Sequence, residues 1–349
     1  MRNNILICGG AGFIGSHYVR SIIKSNNNVI NLDLLTYAAS KKNLSEFEKN
    51  INYKFIKEDI GNKKKMDLII NKFKPNLIIN FAAETHVDRS IDNPSTFVDT
   101  NILGVYSLLN SSLKYWKKIK NKKNFRFIQI STDEVYGSVN TGKSNELSLI
   151  NPSSPYSASK ASADHLIYSY FHTYNFPCMI LRPSNNYGPY QFPEKLIPLI
   201  ILRALEEKKL PVYGSGKNVR NWLYINDSID AIKNISFKGK IGDVYNIGGK
   251  EELTNIQLVK SICSKLDKIK PRNNKKKYES LIYYVKDRPG HDLRYSLNSK
   301  KIFKKIKWNP KIKLDKGLEF TIKWYLENSD WWKSIRKFKY KGERLGTNK

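Results

Sequence analysis

Acidic residues are scarce in this chain. Against 61 Lys and Arg stand 31 Asp and Glu, leaving a formal net charge of +30. Cysteine is scarcer still. Cys8, Cys178 and Cys263 are odd in number and widely spaced, which offers neither a disulfide framework nor a metal-ligand spacing. No metal is expected. Cys8 and Cys178 lie in apolar runs and read as buried thiols, so a reducing cytoplasm is the expected location. Nowhere do 18 apolar residues run together, which excludes an expected membrane span. The apolar run Asn4 to Cys8 is too short for a signal-peptide core and passes straight into glycines. No internal repeat is visible.

The excess of base has two readings. One is a nucleic-acid face. The other is a Lys- and Asn-rich composition without function, favoured by the scatter of Lys along the chain and by runs such as Asn26-Asn27-Asn28. Nucleic acid is therefore not an expected partner, although a positive field would draw in an anionic substrate.

What is present is the material of an α/β protein. The 349 residues suffice for one large domain and a smaller lobe. Strands are expected at Asn4 to Cys8, Asn28 to Leu32, Lys54 to Ile56, Leu77 to Phe81, Phe125 to Ile130 and Pro177 to Leu181. Helical patterns lie between them, at 13–24, 95–119 and about 157–174. Strands alternating with helices imply a doubly wound parallel sheet of Rossmann type. From Pro183 the pattern breaks into short, proline- and aromatic-rich segments, expected as a smaller mixed α/β substrate-binding lobe. The expected division is 1–182, with some later segments returning to it, then 183–332, then a loosely held basic tail at 333–349. Asn273 to Lys277 reads as a surface loop.

Three constellations carry chemistry. Gly10-Ala11-Gly12-Phe13-Ile14-Gly15 fits G-x-G-x-x-G, with Gly9 adding a further glycine. It follows a strand, opens a helix and has Asp33 eighteen residues beyond Gly15. Such glycines let backbone approach a pyrophosphate seated on the helix N-terminus. Asp33 would accept from a ribose 2′-hydroxyl and repel a 2′-phosphate, which favours NAD over NADP. Asp59, ending the third strand, could accept from the adenine amino group. Second, Tyr156-Ser157-Ala158-Ser159-Lys160 places Tyr and Lys on one helix face. A tyrosine base needs its phenolate stabilised, and a Lys ammonium one turn away supplies that. Third, Ser131-Thr132-Asp133-Glu134 ends the fifth strand, at the edge of the sheet where ligands bind. Adjacent carboxyls there have no packing value. If their environments push their pKa values apart, one can serve as acid and the other as base in an elimination of water.

These motifs resemble the extended short-chain dehydrogenase/reductases, and within them the dTDP-glucose 4,6-dehydratases. The resemblance runs in order through Gly9 to Gly15, Asp33 to Ala38, Asp59-Ile60, Phe81 to Ser90, Ser131 to Gly137 and Tyr156 to Lys160. It continues through Arg182 to Leu196, Asn218 to Arg220 and Asp287 to Asp292. The Thr-Asp-Glu triple and the Asn185 to Leu196 block are specific to the dehydratases. The resemblance implies a homodimer, through helices near 95–119 and 157–174, and an internal cycle on NAD. Tyr156, supported by Lys160, takes the C4 hydroxyl proton; Glu134 removes the C5 proton; Asp133 protonates the departing C6 hydroxyl; Thr132 holds the sugar O4. It implies NAD contacts from Gly9, Gly12, Phe13, Ile14, Gly15, Asp33, Leu34, Leu35, Thr36, Asp59, Ile60, Phe81, Ala82, Ala83, Thr85, Thr100, Tyr156, Lys160 and Asn186. It implies nucleotide-sugar contacts from Thr85, Thr132, Asn185, Lys195, Leu196, Pro211, Val212, Tyr213, Arg220, Asn255, Asp287, Arg288, Pro289, Gly290 and His291. Asn221, Ser215 and Thr85 depart from the usual residues, and none of them touches the chemistry.

The base of the nucleotide stays open at this level, so a UDP-glucose 4,6-dehydratase is an alternative. A nucleotide-sugar 4-epimerase is another, but it has no use for carboxyls at both 133 and 134. An NAD-binding regulator gripping nucleic acid is the rival from a different class, and it needs no complete catalytic set.

Overall fold

A computed structural model describes residues 3–340 of the chain. Seven strands make one parallel sheet: β1 (Asn4–Cys8), β2 (Asn28–Asp33), β3 (Tyr53–Lys57), β4 (Leu77–Asn80), β5 (Arg126–Ile130), β6 (Cys178–Pro183) and, further along the chain, Val244–Ile247. In space the order is Val244–Ile247, β6, β5, β4, β1, β2, β3. The order reverses between β1 and β4, where an open α/β sheet leaves a crevice at its carboxyl edge. The strands are near-continuous apolar runs because helices cover both faces; Ile5, Ile7, Ile78, Ile79, Phe127 and Ile128 are fully buried.

Six of the seven strands lie where the apolar runs place them, within two residues. The seventh, Val244–Ile247, pairs with β6; later segments are expected to return to the first domain, but no apolar run singles this one out. It returns to the sheet together with the helix Ile225–Lys238, which packs on the helix Phe13–Ile23; Tyr18 donates to Ser236 Oγ at 3.0 Å across that contact.

The second lobe uses the remaining strands. β7 (Asn185–Tyr187), β9 (Val219–Tyr224) and β11 (Glu251–Thr254) form one small sheet. β8 (Leu210–Tyr213) and β12 (Ile282–Val285) form another, with the seventh strand of the large sheet counted as β10. Two registers matter for the site. Pairing of β8 with β12 sets Tyr213 opposite Val285, just before Asp287 and Arg288. A bridge between Val219 and Arg294 lays the stretch 292–295 along β9, beside Arg220.

Two expectations are revised. The helix expected across 95–119 is broken into Ser95–Val98, a π-helical stretch Asp99–Gly104 and Val105–Lys118. The wider turn carries Thr100 toward the carboxyl edge, and π-bulges of this kind gather at functional sites. The segment expected to hang loosely from 333 is helical through Phe338, within Ser329–Phe338. Ile335 and Tyr340 are buried against Phe192, and Lys339 donates to the carbonyl of Ala39 at 2.5 Å. Residues 341–349 of that tail lie outside the described residues. Asn273 to Lys277 is exposed and free of helix and strand.

Candidate active site

At the reversal of strand order the ends of six strands open on one cleft. Its first wall is the turn after β1. Gly9 has φ +78°, and a Cβ there would stand 2.4 Å from the backbone nitrogen of Ala82. A Cβ on Gly15 would stand 2.2 Å from the carbonyl of Gly9. Both contacts are with backbone, so only glycine fits. The helix beginning at Phe13 has Gly12 as its N-cap, with no side-chain cap and no acid in its first turn. That end is left to bind an anion. Asp33, at the end of β2, accepts from the backbone N–H of Ala11 at 2.9 Å and of Leu35 at 2.7 Å. Its carboxylate therefore latches the glycine turn to the β2 end while facing the cleft. Burial raises its pKa, and these two hydrogen bonds oppose the rise. Asp59 accepts from Gly61 N–H at 2.8 Å and turns the chain after β3.

The second wall is chemical. Thr132 caps a short 3₁₀ turn, Asp133–Tyr136, that follows β5. Its hydroxyl accepts from Glu134 N–H at 3.3 Å and bonds the phenol of Tyr156. Asp133 is 3% exposed, and its Oδ2 has no hydrogen-bond partner among the described residues. Burial, then the charge of Glu134, pushes its pKa up to about 8. Glu134 is half-buried. Burial raises it as well, but Arg288, Arg220 and Lys195 pull the other way. Adjacent in sequence, the two acids sit in different fields.

Tyr156 and Lys160 enter from the helix Pro155–Tyr174, which starts on a capping box between Ser154 and Ser157 with Pro155 at its first position. That start fixes the first two turns, on which both side chains sit. The phenol of Tyr156 is held well above its ordinary pKa by burial and then by Glu134. Lys160 is 4% exposed, donates to the carbonyl of Ile130 at 2.6 Å and is lowered to about 8 by burial. Its hydrogen bond thus runs to strand β5, where the spacing alone suggested support for the phenolate.

The cleft gathers every residue expected for a dinucleotide except Leu35, whose backbone lies behind Asp33. It also takes in Thr85, Thr132, Asn185 and Lys195 of the sugar set. Leu196, Pro211, Val212, Tyr213, Arg220, Asn255, Asp287, Arg288, Pro289, Gly290 and His291 are outside its lining, in the second lobe. Part of that set is tied to the cleft through a residue that pattern reasoning did not assign. Asp88, buried in the helix Val87–Asp92, accepts from Arg288 at 2.7 Å and from the hydroxyl of Tyr213 at 3.0 Å. Nothing in the local sequence distinguishes Asp88 from a surface acid; only the fold pairs it across 200 residues with Arg288. Arg220, 5% exposed, lies over the ring of Tyr295 at 4.2 Å and donates to the carbonyl of Asp292 at 2.9 Å.

Around the same cleft several buried polar atoms have no partner among the described residues: Ser131 Oγ, Ser184 Oγ, Asn185 Oδ1, Asn186 Oδ1 and Gln191 Oε1. Each such atom costs about 1–3 kcal/mol when left unsatisfied, so their collection in one cleft calls for a polar ligand.

A glycine turn opening a helix, a Tyr-x-x-x-Lys pair and a strand-end acid pair around one cleft are the marks of an extended short-chain dehydrogenase/reductase. The family model described as GDP-mannose 4,6 dehydratase matches residues 6–321. A dTDP-glucose 4,6-dehydratase of Xanthomonas campestris pv. campestris is 45% identical over 344 residues, 98% of each chain. Among solved structures, dTDP-glucose 4,6-dehydratase from Bacillus anthracis, in complex with NAD, is 43% identical with a TM-score of 0.85, covering 95% of this chain and 99% of that one. The enzyme of that name from Streptomyces venezuelae, with NAD and TYD bound, is 39% identical with a TM-score of 0.88, covering 96% and 100%. The chain belongs to the dTDP-glucose 4,6-dehydratase family.

The raised pKa of Asp133 has a consequence for stability. A carboxyl whose folded pKa lies above its unfolded one gives stability that is full below the unfolded value and is lost as pH rises through about 8. Asp133→Asn has no such loss. The mutant is expected to gain on wild type in unfolding free energy between about pH 4 and about pH 9, measured by denaturant titration. A difference constant across that range would contradict the assignment.

Proposed function

We propose that the chain converts dTDP-glucose to dTDP-4-keto-6-deoxy-glucose, as an NAD-dependent hydro-lyase of deoxysugar synthesis. The observation that carries this is the pair Asp133 and Glu134, divided by environment at the end of β5, within the cleft that holds Tyr156. The cradle fits NAD: the two glycines leave room against backbone, the helix end is uncapped, and the Asp33 carboxylate faces the cleft, where it would accept from a ribose 2′-hydroxyl and repel a 2′-phosphate. Gly9 to Gly15, Asp33, Asp59, Phe81 to Ala83, Thr100 and Asn186 would line it. When bound, NAD supplies a reversible hydride acceptor, taking from C4 and returning to C6.

The chain's own residues do the proton work. Tyr156 receives the C4 hydroxyl proton; its phenol, raised by burial and by Glu134, needs the field of a cationic ligand or of Lys160 to ionise. Thr132 spans Tyr156 and the acid turn and so sets the sugar O4 between them. The C4 ketone acidifies C5, and Glu134, raised by burial but with Arg288, Arg220 and Lys195 favouring its ionised form, takes the C5 proton. Asp133, kept protonated, gives its proton to the C6 hydroxyl, which leaves as water. Arg220 and Arg288 suit the diphosphate, being planar, multidentate donors. An epimerase reading leaves the split acid pair without work. A regulator reading leaves the whole catalytic set unused.

A homodimer is part of this reading. Val98, Leu103, Tyr106 and Tyr168, all 44% or more exposed, lie on the two neighbouring segments 95–118 and 155–174. Exposed apolar groups clustered in this way suit a helical interface between copies. The three cysteines, free and buried, support a reducing cytoplasm. No described helix is long and apolar enough to cross a membrane. The net charge is given no nucleic-acid role.

Four outcomes are expected. Mass spectrometry of products should show loss of water from dTDP-glucose, with UDP-glucose run beside it. Tyr156→Phe and Glu134→Gln should each cost about a hundred- to ten-thousand-fold in turnover; wild-type rates in both would remove them from the catalytic set. Asp33→Ala should weaken NAD binding by calorimetry and reduce its preference over NADP, because both the ribose acceptor and the latch on Ala11 are lost; an unchanged ratio would remove Asp33 from the cofactor site. Leu103→Glu with Tyr168→Glu should yield monomer in sedimentation, whereas an intact dimer would place the interface elsewhere.

A further inference from the structure

The second lobe brings three side chains into a line behind Glu134. Tyr295 is 4% exposed, and its hydroxyl stands 3.4 Å from Glu134 Oε2 and 2.7 Å from Asp292 Oδ2. The same Asp292 oxygen accepts from the hydroxyl of Ser153, which is exposed at the surface. A hydroxyl has one proton, so Tyr295 cannot donate to both acids at once. With its proton on Asp292, its oxygen is left to receive one from Glu134. The contact at 3.4 Å is long for two oxygens, and such contacts shorten when the acid carries a proton and the site closes.

The surroundings of Glu134 make this line matter. Of its other charged neighbours, Arg288, Arg220 and Lys195 are cations and cannot take a proton from it, and Asp133, 3% exposed, offers no way out to solvent. On the cleft side, which Glu134 lines, a bound sugar would cover it. Arg220 fixes the line in place, lying over the ring of Tyr295 and donating to the Asp292 carbonyl. The register that allows this is the bridge of Val219 to Arg294, with Tyr295 N–H bonded to the Val219 carbonyl.

We propose that Tyr295, Asp292 and Ser153 form a proton relay connecting Glu134 to solvent, the route by which the C5 hydrogen exchanges during turnover. The inference rests on Glu134 being the C5 base. When the C5–H bond breaks, its electron pair stays on carbon and is delocalised into the C4 ketone, and Glu134 gains an O–H bond. That proton passes to the phenol oxygen of Tyr295 as the phenol proton passes to Asp292. Asp292 then hands a proton to the Ser153 hydroxyl as Ser153 releases its own to water. Every O–H bond broken is matched by one formed, and Glu134 is again ionised. The reverse passage delivers a solvent proton to C5. Tyr295 touches no substrate and acts through Glu134.

The test is the origin of the C5 hydrogen in product. The NAD-loaded enzyme is given dTDP-glucose in D₂O, and deuterium at C5 is read by mass spectrometry. Tyr295→Phe removes one oxygen and keeps the ring under Arg220. Its incorporation of C5 deuterium per turnover is expected to fall roughly tenfold, less than the loss from a group acting on substrate directly, with the substrate's own hydrogen retained instead. A merely structural lesion would slow turnover and leave that ratio unchanged. Asp292→Asn, which keeps the carbonyl used by Arg220, is expected to reproduce the retention and serves if the first variant folds poorly. Wild-type incorporation in either variant overturns the relay, provided that Glu134→Gln makes no product; product at wild-type rate from Glu134→Gln would instead overturn the reading of Glu134 itself.

Discussion

Two carboxyls side by side at the end of a strand are held apart in charge by what surrounds them, and the rest of the site is arranged around that division. Asp133 is sealed, with one oxygen unpartnered among the described residues. Glu134 lies in the field of three cations, Arg288, Arg220 and Lys195, opposed by burial and by Asp292. An unsatisfied buried carboxyl costs stability of the order of 1–3 kcal/mol, which a structure retains only where the group has a use. Burial keeps the proton on Asp133, and the cations keep Glu134 willing to lose one. The sequence distance between the two carboxyls is one residue; the physical distance between their environments is the difference between the core of the sheet and the second lobe.

That arrangement depends on topology. The sheet delivers the glycine turn, Asp33, Phe81 to Thr85, Thr132 to Glu134 and Asn185-Asn186 to one edge, because all their strands run the same way. The second lobe supplies the positive charge from afar: Arg288 is pinned by Asp88, and Arg220 by Tyr295 and the Asp292 carbonyl. Arg288 and Arg220 enter through short strands whose registers, β8 with β12 and Val219 with Arg294, leave little freedom in where they arrive. The lobes are further stitched by Lys195, which donates to the carbonyl of Thr85 at 2.8 Å.

Much of this could be read from the chain. Apolar runs located six of the seven sheet strands, since strands buried on both faces need unbroken apolar sequence. The glycine turn, Asp33, the Tyr156–Lys160 spacing and the acid pair were legible because each is a local pattern with a fixed geometric job. What escaped was non-local. Val244–Ile247 is four residues between polar loops, and only its pairing with β6 makes it part of the main sheet. The π-helical stretch Asp99–Gly104 has the apolar spacing of an ordinary helix, so the pattern did not show how Thr100, which the resemblance alone set at NAD, turns into the cleft. Asp88 and Tyr295 look like any acid and any tyrosine until the fold sets them beside Arg288 and Glu134. Asp33 was assigned to a ribose, and its hydrogen bonds to Ala11 and Leu35 add a second task that spacing cannot show.

The central claim is that Asp133, sealed by burial, carries a proton near neutral pH. Infrared spectroscopy of the protein labelled with ¹³C at aspartate carboxyls addresses it directly. The expected result is an isotope-shifted band of a protonated carboxyl at neutral pH that is absent from Asp133→Asn and present in Glu134→Gln. A spectrum in which every aspartate is ionised, or a protonated band that survives Asp133→Asn, would contradict the account.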